Sequence, residues 1–276
     1  MPELPEVEVT RRGIAPALVN KCISHFVVRF PCLRTPVSPE FSTLENLSVV
    51  SVNRRGKYII IKTDSGSVLI HLGMSGHLHL VSPDTPVIKH DHIDIVITGG
   101  QVIRFNDQRR FGLFEWFSKE KDPYADPRLS KLGPEPLEAS FTGQVLYERI
   151  HRFKTPVKKI LMDNEVLVGV GNIYASEVLF ASRVSPMRRA CDVTDDECEI
   201  LVKNIRQILE ASISRGGTTI HDFSGSDGNP GKYVSELKVY GRKGEPCPVC
   251  GTPIEHAIIG GRSAYYCPVC QKAPKT

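Results

Sequence analysis

The sequence predicts an α+β protein: a strand-rich first half behind an N-terminal helix, then a helical half that ends in a small cysteine hairpin. Three observations predict it. Short runs rich in Val and Ile, separated by turn residues, fill residues 22–107. Apolar residues recur at helical spacing between 141 and 214. Four of the eight cysteines fall within the last thirty residues.

Residues 5–14 are expected to form the first helix, with Pro5 in its first turn and Glu6 and Glu8 favoured by the helix dipole. The runs "CISHFVVRF" (22–30), "LSVVSVNRR" (47–55), "KYIIIKT" (57–63), "SVLIHLG" (67–73), "HIDIVIT" (92–98) and "QVIRFND" (101–107) read as strands. Asp64-Ser65-Gly66 and Gly99-Gly100 punctuate them, and strands so short and regular suggest a β-sandwich. The stretch 121–138 holds four prolines and reads as a linker. Helices are expected over 141–153, 156–163, 172–182 and 194–214, where Ile200, Leu201, Ile205, Ile208 and Leu209 take core spacing. Residues 216–231 are too rich in Gly, Ser and Asp to be packed core. The expected boundaries are 1–120 for the sandwich domain, 121–138 for the linker, 139–234 for the helical domain and 235–276 for the hairpin.

Composition narrows the class. With 41% hydrophobic and 24% charged residues the chain is globular and not disordered. Net charge is only +4, from 35 Lys+Arg against 31 Asp+Glu, so any polyanion binding must come from charge distribution. No run approaches the roughly 18 apolar residues of a membrane span. The acidic start "MPELPEVEV" is unlike a secretory signal, and a cytoplasmic location is expected. Cys22, Cys32, Cys191 and Cys198 are scattered singly and read as free thiols of a reducing compartment.

Cys247, Cys250, Cys267 and Cys270 form two "CPVC" knuckles with sixteen residues between them. That spacing places four thiolates around one Zn²⁺, whereas paired redox motifs or disulfides suit a reducing compartment poorly. Four thiolates leave no open position, so the ion is structural, and it replaces a core that so small a hairpin cannot build. Within the hairpin, "IIGGRSAYY" (258–266) puts a Gly260-Gly261 turn beside Arg262. An arginine on a rigid tip suits a groove or a phosphate; a solvated turn is the alternative.

In "FKTPVKKILMDNEVLVGVGNIYASEVLF" (153–180), a short helix is followed by the turn "GVGN" and a second helix from Ile173. Asn172 is placed as N-cap, and N–H groups at a helix start can hold an anion. Arg149, Arg152, Lys154, Lys158 and Lys159 lie upstream and suit a phosphodiester backbone, or simply form a solvated basic face. At the other end of the chain, removal of Met1 would leave Pro2 as a secondary amine titrating at about pH 7.7–8.0. Such an amine attacks an aldehyde-level carbon to give an iminium, and Glu3 beside it suits proton transfer; a rigid arm bearing ordinary acids is the other reading.

Taken together, the chain resembles the formamidopyrimidine-DNA glycosylases of bacterial base-excision repair. The resemblance covers nearly the whole length. It rests on "PELPEVE" (2–8), "RRGKY" (54–58), "HLGMSG" (71–76), "KHDH" (89–92), "DQRRFG" (107–112), "LGPEPL" (132–137), "LMDNEVLVGVGNIYASE" (161–177), "GGTT" (216–219) and "VYGRKGEPCPVCG" (239–251). It implies a helix–two-turn–helix in the second half and a zinc-finger hairpin after it. It implies a bifunctional glycosylase and AP lyase that acts, as a monomer, on oxidised purines in damaged double-stranded DNA. Pro2 would attack the sugar C1′, and Glu3 would be the acid for base loss and ring opening. Lys57 would donate a proton in β-elimination and Arg262 in δ-elimination, with Glu6 in support. His90, Arg109, Phe153 and Lys154 would contact DNA, and Asn172 would bind phosphate. Met74, Arg109 and Phe111 would fill the gap left by the everted base, and the 216–231 loop would close over that base. The basic run before Thr155 is interrupted by Phe153, which leaves a backbone contact there and gives the charge to Arg152 and Lys154. His77 stands at a position that varies near the base pocket. An endonuclease VIII relative acting on oxidised pyrimidines would open on Pro-Glu-Gly-Pro in place of "PELP", and a non-catalytic zinc-ribbon DNA-binding protein would not need Pro2, Glu3, Lys57 and Arg262 together.

Overall fold

A computed structural model describes residues 2–218, 225–226 and 228–271. The expected trimming of Met1, and the middle of the loop expected to close over a base, lie outside the described residues. The chain forms two compact units: one joins the chain up to Ser130 to Ile213–Val234, the other joins Lys131–Ser212 to the chain from Ser235 on. The described residues of 213–234, grouped with the helices by sequence, therefore belong to the first unit, and the cysteine hairpin shares the second unit with the helices.

The first unit begins with helix α1 (Leu4–Leu18) and holds eight antiparallel strands: β1 (Cys22–Val28), β2 (Leu47–Arg55), β3 (Tyr58–Thr63), β4 (Gly66–His71), β5 (Gly76–Val81), β6 (Asp91–Ile97), β7 (Val102–Asp107) and β8 (Leu113–Ser118). Their order is β5-β7-β6-β1-β2-β3-β4-β8. Strands β1 and β2 pair only through Cys22↔Ser48 and Ile23↔Leu47, so the ribbon folds at that seam into two four-stranded layers. Between the layers lies one apolar core, to which α1 adds Val7, Ile14, Ala17 and Leu18. Phe26, Phe41 and Phe114 meet there with ring centroids 4.7–6.5 Å apart, within the range of favourable tilted contacts.

Six of these strands match the Val/Ile runs to within two residues at each end. β5 and β8 escaped the sequence reading. "GHLHLV" in β5 carries two half-buried histidines on one face, and "LFEWFS" in β8 lacks the β-branched residues that marked the others. The expected linker is also more ordered than its prolines suggest. Arg128, in the one-turn helix α2 (Pro127–Ser130), binds Asp126 at 2.7 Å and Glu115 of β8 at 2.6 Å. Beyond it, Gly133 N–H donates to the Asn164 carbonyl at 2.8 Å within the second unit.

The second unit contains α3 (Gly143–Ile150), α4 (Val157–Leu161), α5 (Asn172–Ala181), α6 (Asp195–Ser214, of which the last two residues belong to the first unit) and the hairpin β9 (Glu255–Ile259) and β10 (Arg262–Tyr266). The turn between α4 and α5 is buried: Val166, Leu167, Val168 and Val170 are at most 3% exposed. Glu177 of α5 is buried as well, and its carboxylate accepts the backbone N–H groups of Lys238, Val239 and Tyr240 at 2.8–3.0 Å. Burial pushes its acidity down despite these donors. No helix among the described residues is long and apolar enough to cross a membrane.

Three stranded N–H groups would be the consequence of truncating Glu177. Glu177→Ala is expected to lower unfolding free energy by about 3 kcal/mol or more, and Glu177→Gln, which keeps one acceptor oxygen, by less. Denaturant titration of both variants measures the difference.

Candidate functional site

The N-terminal peptide is a held structure and not an arm. Pro2 is buried, and Glu3 and Glu6 are 2% and 1% exposed. Glu3 caps α1, and its N–H donates to Glu6 Oε2 at 2.8 Å, half of a capping box. The other oxygen of Glu6 accepts the N–H of Thr218 at 2.8 Å. One carboxylate thus binds the start of the chain to a segment 212 residues away. The described part of the glycine-rich loop continues along the same helix: the Ser226 carbonyl accepts Leu80 N–H of β5 at 2.9 Å, and the Ser226 side chain lies so close to Gly13 that a side chain there has no room. A cleft of about 590 Å³ opens between Val9 of α1 and residues 214–216, 225 and 229–232.

Lys57 sits in the two-residue turn between β2 and β3, one place before the strand in which the sequence put it. Gly56 supplies the left-handed conformation, φ 55°, that this turn needs. Behind it, burial and the positive charges of Lys57 and Arg34 push the His71 imidazole down to about 4. His71 Nδ1 accepts Gly73 N–H at 3.0 Å, so Nε2 carries the ring proton and the ring is a neutral donor at pH 7. Because the unfolded chain protonates His71 near 6.5, this site's contribution to stability is complete above that pH and fades as pH falls towards 4.

His71, Gly73, Met74, Phe111 and Arg34 line a cleft of about 340 Å³. Gly73, at φ 68°, has its Cα against the Phe111 backbone, where a Cβ would meet carbon at 2.4 Å. The Met74 turn and the Phe111 turn are therefore back to back, and Arg109 lies 5.0 Å over the Phe111 ring. The expected wedge residues stand together. Sequence reasoning missed what holds them: Asp107, fully buried, accepts Ser75 Oγ–H and Gly112 N–H, each at 2.7 Å. Ser75 Oγ in turn accepts Arg109 N–H at 3.0 Å. Its place at the head of "DQRRFG" was visible; its partners, 32 and 5 residues away, were not. His90 sits at φ 75°, and its carbonyl accepts Asp107 N–H at 3.1 Å.

In the second unit, Asn172 is the first helical residue of α5 and not its N-cap; Gly171 takes that place. The Asn172 side chain is turned to Lys158, whose Nζ lies 2.5 Å from Asn172 Oδ1 and 3.1 Å from the Ser263 carbonyl of β10. Lys158, expected on a phosphate-binding face, is 1% exposed and clamps α5 to the hairpin. That clamp ties Asn172 to Ser263, the residue after Arg262, which is exposed beside the Gly260-Gly261 turn, both glycines at positive φ. Arg152, Lys154 and Lys159 are exposed and keep the basic character of the surface. Phe153 donates its N–H to Ile150 and accepts Cys191 N–H at its carbonyl, so no backbone N–H there is left for an outside ligand.

The sulfurs of Cys247, Cys250, Cys267 and Cys270 lie within 4.8 Å of one another. Two Sγ···Sγ distances are 3.4 and 3.9 Å, around the roughly 3.8 Å edge of a tetrahedron with 2.3 Å Zn–S bonds. Val249 N–H and Cys270 N–H point at Cys247 and Cys267 sulfurs, both at 3.4 Å, as thiolates require. The four residues fit one structural zinc ion.

Three family models match the chain: the formamidopyrimidine-DNA glycosylase N-terminal domain over residues 1–114, its H2TH domain over 132–224, and the zinc finger found in FPG and IleRS over 244–273. Curated relatives named formamidopyrimidine-DNA glycosylase include one from Enterobacter sp. (strain 638), 52% identical over 99% of this chain and 100% of the relative, and one from Serratia proteamaculans (strain 568), 50% identical over the same shares. Similar solved structures include a variant of Lactococcus lactis Fpg bound to DNA containing Fapy-dG, with a TM-score of 0.89, 32% identity and 98% of this chain and 100% of that one covered. Fpg of Thermus thermophilus gives a TM-score of 0.87 at 34% identity, covering 99% and 100%.

Two measurements probe this site. Elemental analysis of the purified protein is expected to give one zinc per chain, and its removal by a strong chelator to lower the melting temperature of the hairpin and expose four titratable thiols. Asp107→Ala is expected to cost about 3 kcal/mol by leaving Ser75 and Gly112 without their acceptor, with Asp107→Asn intermediate, in thermal or denaturant unfolding.

Proposed function

The chain belongs to the formamidopyrimidine-DNA glycosylase family, and from that premise we propose that it is a DNA glycosylase and AP lyase of base-excision repair acting on oxidised guanine and formamidopyrimidines. In this reading the amine of Pro2, freed by loss of Met1, attacks C1′ of the damaged nucleotide. The C1′–N bond breaks, the base departs with a proton, and Glu3 supplies the acid that base loss and sugar-ring opening need. The resulting iminium acidifies the C2′ hydrogen. Loss of that proton to water and cleavage of the C3′–O bond follow, with Lys57 protonating the departing phosphate. Arg262 serves the second, δ, elimination at the 5′ side in the same manner. Zinc takes no part in these steps; when bound it holds the hairpin that carries Arg262.

The observation that carries the reading is the burial of Pro2 and Glu3 at the start of α1, held by Glu6. The capping box and the Glu6 bridge stabilise the helix start in any case; what supports the reading is that they also hold the residue next to Glu3 in the fixed geometry that a nucleophile needs. The wedge of Met74, Arg109 and Phe111 would offset the unstacking of an everted nucleotide, with His90 and Lys154 on the flanking phosphates and Asn172 completing a phosphate site. Phe153 would pack beneath this contact, with Arg152 over its ring. The protein would work as a monomer on duplex DNA in the cytoplasm, at the nucleoid.

Borohydride reduction during turnover of a duplex carrying oxidised guanine is expected to trap the chain covalently at its N-terminal residue, and Pro2→Gly to trap little. Glu3→Gln is expected to slow base release by roughly 10²–10⁴-fold. Faster excision of oxidised pyrimidines than of oxidised purines would move the protein to the endonuclease VIII type. Undiminished trapping in Pro2→Gly would remove the nucleophile assignment.

A further inference from the structure

Two half-buried arginines connect the helix that begins the chain to the turn that carries Lys57. Glu8 lies five residues beyond Glu3 in α1, and its carboxylate is held well below the usual range, at about 2. Burial opposes that shift; hydrogen bonds from Arg11 and Arg12 and the charges of Arg11 and Arg54 outweigh it. Arg11 grips Glu8 in a two-pronged contact, 2.8 and 2.9 Å, and reaches with its remaining nitrogen to the Val52 carbonyl of β2 at 3.1 Å. Arg54 makes the return connection from β2: Nε meets Glu8 Oε2 at 3.2 Å while Nη1 donates to the Gly56 carbonyl at 2.9 Å. Both side chains of the Glu8–Arg54 pair are about one-tenth exposed, so water competes little for either.

The Gly56 carbonyl belongs to the peptide unit whose nitrogen is that of Lys57. Peptide planarity means that fixing this oxygen fixes the plane from which the Lys57 Cα leaves. Gly56 is the residue with the left-handed φ, the softest point of the turn, and Arg54 acts on that residue's carbonyl. The guanidinium is rigid and planar, so the direction set at Glu8 is transmitted to Gly56 without an intervening rotatable bond.

We propose that Arg54, oriented by Glu8, is a positioning residue that sets Lys57 relative to the N-terminal nucleophile for strand cleavage and is dispensable for base release. The inference rests on the proposed role of Lys57 in β-elimination. Its consequence is a separation of two activities that a merely structural ion pair would lose together.

The test uses the full-length protein on a duplex with oxidised guanine and follows two products. Total base release is read after hot alkali, and enzymatic nicking is read without it. Arg54→Met is expected to lower the ratio of nicking to base release by about tenfold or more, since small misplacements of a reacting group cost that much. Alkali-labile abasic strand then accumulates, and borohydride trapping remains. Arg54→Lys keeps a charge for Glu8, but one ammonium cannot hold the planar bridge to Gly56; it is expected to shift the ratio the same way and decides the matter if the Met variant does not fold. A proportional fall of both activities, or an unchanged ratio in a folded Arg54 variant, overturns the proposal. Lys57→Met is assayed in parallel. If it leaves the ratio unchanged, the assignment of Lys57 fails and this inference falls with it; if it splits the ratio while the Arg54 variants do not, only the positioning claim fails.

Discussion

A single carboxylate sets the geometry on which the rest of the N-terminal unit depends. Glu6 is almost wholly removed from solvent, and its two oxygens are given to backbone N–H groups, Glu3 on one side and Thr218 on the other. Burying an acid in this way is favourable only when its lone pairs are met, and here they are met by groups at opposite ends of the sequence. The α1 start is thereby fixed against the segment that follows α6. A flexible N-terminus acting as a nucleophile would lose conformational freedom at each attack, whereas here that freedom is already lost on folding.

The same device recurs wherever the structure holds a residue of the site. Glu8 and Arg54 fix the Lys57 turn, Asp107 fixes the turns of Met74, Arg109 and Phe111, and Lys158 fixes Asn172 against the strand that begins with Arg262. In each case a charged side chain is buried, multiply hydrogen-bonded and one step removed from the groups that would meet DNA. Removing one partner of such a set leaves the others unsatisfied, which is why the energetic cost sits in these brackets and not in the exposed residues they orient. Exposed Arg109, Phe111, Lys154 and Arg262 are left to respond to a ligand.

What could be read in the sequence, and what could not, divides along the same line. The zinc hairpin was legible because its information is local: two knuckles, a fixed spacing and a glycine turn. The six Val/Ile strands and the four later helices were legible through periodicity, and the first helix through Pro5, Glu6 and Glu8. Strands β5 and β8 were not, because β5 carries histidines and β8 relies on Phe and Trp where the other runs show Val and Ile, and their pairing with β7 and β4 is visible only in the fold. The resemblance found Lys57, Met74, Arg109 and Phe111, yet gave no place to Asp107, whose meaning depends on Ser75 and Gly112. Lys158 was misread as surface charge for a related reason. Composition counts a lysine as solvated, and only the approach of Asn172 and Ser263 makes its burial tolerable. Asn172 at a helix start looks like a cap until Gly171 is seen to occupy that position, which frees the amide side chain for Lys158.

Two points of backbone strain meet at Asp107. Among the described residues five non-glycines take positive φ, and two of them, His90 and Arg110, are neighbours of Asp107 through its backbone: His90 accepts from Asp107 N–H, and Arg110 donates its N–H to the Asp107 carbonyl. Such conformations cost about a kcal/mol or more each and persist only where surrounding contacts over-determine them. Asp107 supplies that over-determination, since His92 Nε2 lies 2.8 Å from its carbonyl and its carboxylate is satisfied on both oxygens. These two strained positions lie in the turns that carry His90, Arg109 and Phe111, and the group that offsets their strain has no exposed surface at all. A side chain that must enter a distorted duplex is best carried on a turn that cannot relax, because any relaxation would be energy unavailable for opening the stack.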